Sequence, residues 1–170
     1  MALSGTTTFD LTIEEIIEEA FERCGLQVRT GYDIKTARRS LNIMFAEWAN
    51  RGLNLWTIEL NTQTLTASTA SYDLGTDVID IVSAVVYEAS DTTIDYEIER
   101  VSRAEYLNIP KKSIEARPSQ YYLERTITPK LYLYPTPDAA DTFKYYALTR
   151  MNDAGDYTNN AEIPFRFIPC

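Results

Sequence analysis

The sequence predicts an α+β fold: N-terminal antiparallel helices, a helical bundle completed by the C-terminal segment, and an antiparallel, sandwich-like β part. Three observations carry this. Apolar residues recur at helical spacing from Ile13 to Trp48. After Asn54 the spacing switches to strict alternation. The alternation, interrupted by turn-forming residues, then persists to Met151. Four divisions follow: an arm over 1–9, a helical part over 10–54, and a β part over 55–151 with a short helix near 102–108. Residues 152–170 form a loop and the start of a C-terminal helical segment.

In "FDLTIEEIIEEAFERCG", Ile13, Ile16, Ile17, Ala20, Phe21 and Cys24 fall on one helical face. Thr12 and Glu15 fit a capping box, Leu11 and Ile16 a hydrophobic staple, and Gly25 ends the helix. Cys24, on the apolar stripe, is expected as a small buried hydrophobe. A second helix runs from Asp33 to Arg51, with Ile34, Ala37, Leu41, Met44, Phe45 and Trp48 as its stripe and Gly52 as its stop. Two helices with one apolar face each still leave hydrophobic area uncovered. They need a third partner, from this chain or another.

The first strand, "LWTIELNTQTLT", sets Trp56, Ile58 and Leu60 against Thr57, Glu59 and Asn61. "VIDIVSAVVYEA" is apolar on both faces and reads as a central strand. A hairpin loop, "ASDTT", leads to "TIDYEIERV", with Ile94, Tyr96 and Ile98 on one side and Asp95, Glu97 and Glu99 on the other. "SRAEYLNIPKK" is a short helix capped by Ser102 and broken before Pro110. "PSQYYLERTITPKLYLYPTPD" supplies two strands joined by a turn, and "FKYYALTRM" the last strand. "NDAGDYTNNAE" is a loop by composition. In "EIPFRFIPC", Pro164 occupies the first position of a helix whose stripe begins with Ile163, Phe165, Phe167 and Ile168. One turn does not hold itself together, so this segment either docks on something or continues.

Composition narrows the function. A formal charge of −9 disfavours phosphate binding and suits a surface that repels nucleic acid. The absence of histidine removes His-dependent triads and most zinc and iron sites. No nucleotide-binding glycine loop and no nucleophile elbow occurs. Glu14, Glu15, Glu18, Glu19 and Glu22 would sit on the exposed face of the first helix, with no spacing that marks a cleft. "DAGDYTNNAE" lacks the alternating ligands and central glycine of a calcium loop. The expectation is therefore no enzyme, no cofactor and no metal. No apolar run reaches a membrane span and no export signal opens the chain, so no membrane partner is expected.

Three groups of residues remain as candidates. Arg38, Arg39 and Arg51 flank the second helix's stripe; in so acidic a chain they are expected to meet carboxylates, either neighbouring ones or those of another subunit. Asp95, Glu97 and Glu99 form either a plain solvated face or an acidic wall past which a polyanion slides. Phe165, Phe167 and Ile168 are the apolar end of the chain.

The stretches "IEEAFERCG", "YDIKTARRSLNIMFAEWANRGLNLWTIE", "RPSQYYLERTITPKLYLYPTPD" and "EIPFRFIPC" together resemble the head-to-tail adaptor (connector, tail-accessory) proteins of short-tailed, podovirus-like bacteriophages. The second stretch is the most specific. The resemblance implies a non-enzymatic virion protein that forms a dodecameric ring beneath the portal, presents a platform to the tail nozzle and extends the DNA channel. It also implies that the C-terminal segment, here Phe165, Phe167 and Ile168, helps dock on the portal, and that genomic DNA passes without specific binding. Localisation would be the virion neck or tail, with assembly in the host cytoplasm. Relatives continue into a further helix after the "PFRF" position, a point at which this sequence departs. The alternatives are a β-rich binding module with a helical cap, for carbohydrate or protein, drawing on 12 Tyr and 2 Trp, and a carboxylate-dependent hydrolase.

Overall fold

The computed structural model describes residues 10–28, 30–53 and 55–164. The expected arm over 1–9 and the candidates Phe165, Phe167 and Ile168 lie outside them. The chain divides into two compact units, Met1–Trp56 with Met151–Cys170, and Thr57–Arg150.

The first unit is built on two helices. In α1 (Ile13–Arg23) the Thr12 amide donates to Glu15 Oε2 at 2.8 Å and the Glu15 amide to Thr12 Oγ1 at 3.3 Å, the expected capping box. Gly25 follows at a φ of +71°, the left-handed conformation that lets the chain leave the helix. The second helix, α2 (Gly31–Arg51), starts earlier than Asp33 because Asp33 is not its first residue but the return arm of a second capping box with Thr30. Gly52 ends it at a φ of +66°.

Ile13, Ile17 and Phe45 are the buried centre of this unit, together with Met151 and Ala154. The helix pair's third partner is therefore the chain's own segment 151–163, which is irregular and not helical. Cys24 departs from expectation: it is exposed. The helix ends at Arg23, and Cys24 is its cap, so helical periodicity no longer turns its side chain inward.

In the second unit the strands are β1 (Ile58–Thr64), β2 (Ser71–Asp73), β3 (Val78–Glu88), β4 (Asp91–Glu97), β5 (Glu99–Arg100), β6 (Gln120–Glu124), β7 (Lys130–Tyr134) and β8 (Thr142–Thr149). A short helix, α3 (Arg103–Asn108), carries the predicted Ser102 cap. The strands form two four-stranded sheets, ordered β1-β8-β3-β4 and β2-β7-β6-β5. Pairing is antiparallel throughout, except for β5 on β6. The shared core includes Val86, Phe143 and Ala147 from one sheet and Tyr121, Leu131 and Leu133 from the other. Tyr121 meets Phe143 edge-on at 5.7 Å between centroids.

Two strand expectations need correction. Leu55–Thr57 is a 3-10 turn, which shifts the phase of the strand after it. Thr57 is buried, exchanging hydroxyl-to-carbonyl hydrogen bonds with Thr149 at 2.6 and 2.9 Å, whereas Leu60 is exposed opposite Tyr146. Leu65, just past β1, takes the core position instead. The stretch "TIDYEIERV" is not one strand. It ends β4 at Glu97, turns inward at buried Ile98 and resumes as β5 in the other sheet. Central β3, the β3–β4 hairpin and the β6–β7 hairpin lie where the sequence puts them.

Candidate functional site

Two helices and an irregular strap do not close over all of their own apolar surface. Among the described residues a groove of about 630 Å³ remains open in the helical unit. Its floor is Ile16 and Ala20 of α1 with Leu41, Met44, Phe45 and Trp48 of α2. Leu53 and Trp56 wall one side, Ala161 and Ile163 of the strap another, and Asp10, Glu19 and Arg23 stand on the rim. Both tryptophans of the chain thus line one groove. Leu53 and Leu55, beside it in the chain, are mostly exposed. A lining so apolar, with charges only at its edge, suits a protein segment better than a polar small molecule.

The strap is fixed from several sides. Ile13 and Glu14 donate their amides to the Asn159 and Tyr157 carbonyls at 2.9 and 3.1 Å. Ala154 donates its amide to Asn42 Oδ1 at 2.7 Å, and the Trp56 indole donates to the Glu162 carbonyl at 3.0 Å. Glu162 in turn accepts the Asn152 amide at 2.7 Å.

The candidate arginines separate. Arg38 donates to the Gly155 carbonyl at 2.9 Å, lies over the Tyr157 ring at 5.3 Å and approaches Asp156 at 3.9 Å. It is a strap clasp. Arg51 is exposed and pairs with Glu47, one turn back on α2. Arg39 is exposed and makes no ion pair among the described residues.

The acidic candidates are split between the sheets. Asp95 and Glu97 lie on edge strand β4, with Asp95 3.6 Å from Lys144, and Glu99 lies on β5, where it accepts from Gln120 at 3.4 Å. All three carboxylates are on exposed residues.

Three tyrosines of the β unit form a cluster that no sequence pattern predicts. Tyr106 of α3 stacks on Tyr122 of β6 at 5.6 Å and meets Tyr132 of β7 at a tilt at 5.5 Å, with the Lys112 ammonium over the Tyr106 ring at 5.4 Å. Burial raises the Tyr106 hydroxyl above its ordinary pKa, and the neighbouring Tyr132 adds to the rise. These ring faces are spent holding α3 to the sheet. Among the described residues no group of three or more acidic or cysteine side chains could hold a metal, and no helix is long and apolar enough to cross a membrane.

The groove was not legible in the sequence. Its floor residues belong to the two stripes, but only the loop geometry after Gly52 brings Leu53 and Trp56 beside them. A model described as the SU10 adaptor protein family matches residues 11–169, which is nearly the whole chain. No curated protein matches.

Proposed function

The chain belongs to the SU10 adaptor protein family, and from that premise we propose that it is a ring-forming subunit of the junction between phage head and tail. In this reading a dodecameric ring sits between the portal and the tail nozzle of a short-tailed phage and extends the DNA channel. The observation that carries it is the open apolar groove of the helical unit, a surface that stays in contact with water until another protein covers it. The −9 charge of each copy supports a channel that DNA passes without adhering. An adaptor is a structural kind of protein, and no residue here is assigned a catalytic role.

The site assignments follow from the same reading. Arg39 and Arg51 meet carboxylates of a neighbouring subunit, with Arg38 fixing the strap that shapes the same surface. Phe165, Phe167 and Ile168 dock on the portal. Asp95, Glu97 and Glu99 face the channel from two sheets. The binding-module alternative draws on the tyrosines, but the rings of Tyr106, Tyr122 and Tyr132 are occupied with each other.

Negative-stain microscopy of the purified chain mixed with portal tests the proposal. Rings seated on portal support it. Monomers that ignore portal and bind glycans replace it with the binding module.

A further inference from the structure

Within the two long helices, opposite charges pair one turn apart: Glu19 with Arg23 at 2.8 Å, and Glu47 with Arg51. Two other rows of charge on the same helices do not pair. On α1, Glu14, Glu18 and Glu22 stand four residues apart, all exposed. On α2, Lys35 and Arg39 repeat the same step. Tyr32 and Ile43 continue the α2 row at either end, 74% and 65% exposed. None of the five charged side chains makes an ion pair among the described residues. Like charges four residues apart repel along a helix, so each row is held at a cost that nothing in the described chain offsets.

Both rows face outward. On α1 the buried side is Ile13 and Ile17, and the three glutamates lie off it. On α2, at about 100° per residue, Tyr32, Lys35, Arg39 and Ile43 fall in one stripe. Ala37, Leu41 and Met44, which line a cleft with Ile17, Ala20 and Phe21 of α1, lie on the other side of that helix. We propose that the row of Glu14, Glu18 and Glu22 in one copy packs against the row of Lys35 and Arg39 in the next. The inference rests on the ring reading and deepens it, since it names the carboxylates that Arg39 meets. The occupant is a second copy because the rows complement each other in sign and in step. Both repeat at about 6 Å along the helix axis, and four-residue rows of this kind are the ridges by which helices interlock. Two different surfaces of one chain make a head-to-tail contact, which closes into a ring, whereas a self-complementary patch stops at a dimer. Charge sets the direction and register of approach, and Tyr32 and Ile43 supply apolar area to bury.

The full chain is mixed with portal, and ring assembly is followed by sedimentation and negative-stain microscopy, beside two double variants. One carries Lys35→Glu with Arg39→Glu, the other Glu18→Lys with Glu22→Lys. The substituted residues are exposed and make no ion pair among the described residues, so circular dichroism spectra and melting temperatures should match the native chain's. Each variant alone sets like charge against like and should assemble at least about tenfold more weakly. An equimolar mixture of the two should recover most of the assembly, because every copy then meets a neighbour of opposite sign. Native assembly should also weaken as salt is raised. Variants that assemble alone as well as the native chain overturn the contact and leave the ring standing. A mixture that stays apart, although both variants fold, overturns it too and assigns the rows to the portal. A native chain that never assembles on portal overturns both the contact and the ring.

Discussion

The Ile13 amide donates to the Asn159 carbonyl at 2.9 Å, so the first turn of α1 is capped by a residue near the far end of the chain. Glu14 does the same to Tyr157, the Glu15 amide donates to Thr12 Oγ1 and the Thr12 amide to Glu15 Oε2. All four amides that a helix leaves unpaired at its start have acceptors. A helix N-terminus of this kind commonly receives an anion; here it holds the strap that walls the groove.

Asn42→Ala should loosen that strap. It leaves the Ala154 amide without its 2.7 Å acceptor beside buried Met151 and Ile17, which costs about 1–3 kcal/mol. Urea unfolding gives the loss. Hydrogen exchange should quicken at Ala154, Ile13 and Glu14 together, because all three amides bond between the helices and one strap.

Arg38 and Arg39 are adjacent and should respond differently. Arg38→Ala removes the Gly155 bond and the Tyr157 ring contact, and should lower the stability of the isolated chain by about 1 kcal/mol. Arg39→Ala should leave that stability unchanged within about 0.5 kcal/mol while weakening ring assembly on portal. Equal thermal melts for Arg38→Ala and the native chain would show that the strap does not depend on the clasp.

Acid should act through the caps. The Thr12 amide, and then its hydroxyl, hold the Glu15 carboxyl below its ordinary 4.5; Ser102 does the same for Glu105. A group whose folded pKa is depressed adds stability above its unfolded value and loses that stability as the pH falls through the folded one. The contribution is therefore present above pH 4.5 and disappears below it. In melts taken from about pH 6 down to about pH 3, Glu15→Gln should be the less stable at the upper end and should converge on the native chain at the lower.

Glu97→Lys tests the acidic wall. The residue is exposed on edge strand β4, so folding should be unaffected. In assembled particles, genome ejection should slow as DNA meets a ring of added cations. Ejection at the native rate would take Glu97 out of the channel.

Much of this architecture is local in origin and was readable. Thr12 and Glu15, Ser102 and Glu105, and the glycines after each long helix are signals contained within a few residues, and each element they bound is present. The misreadings share a cause as well. Cys24 reads as buried only when the helical period is extended one residue past the helix end. Leu60 reads as buried only in a strand phase that the 3-10 turn resets. "TIDYEIERV" reads as one strand because alternation continues through Ile98, although the hydrogen-bond partners change there from β3 to β6.

By itself the sequence determined the two amphipathic helices, the antiparallel strands that follow, an acidic charge balance and the adaptor family, since each is written in short-range pattern or in residue identity. The tertiary structure decided which segment covers the helix pair, that Arg38 serves it, and that a groove with two tryptophans stays open beside it. Those outcomes depend on contacts between residues more than a hundred positions apart, such as Arg38 with Gly155 and Trp56 with Glu162, and no local periodicity encodes which distant carbonyl a side chain will meet.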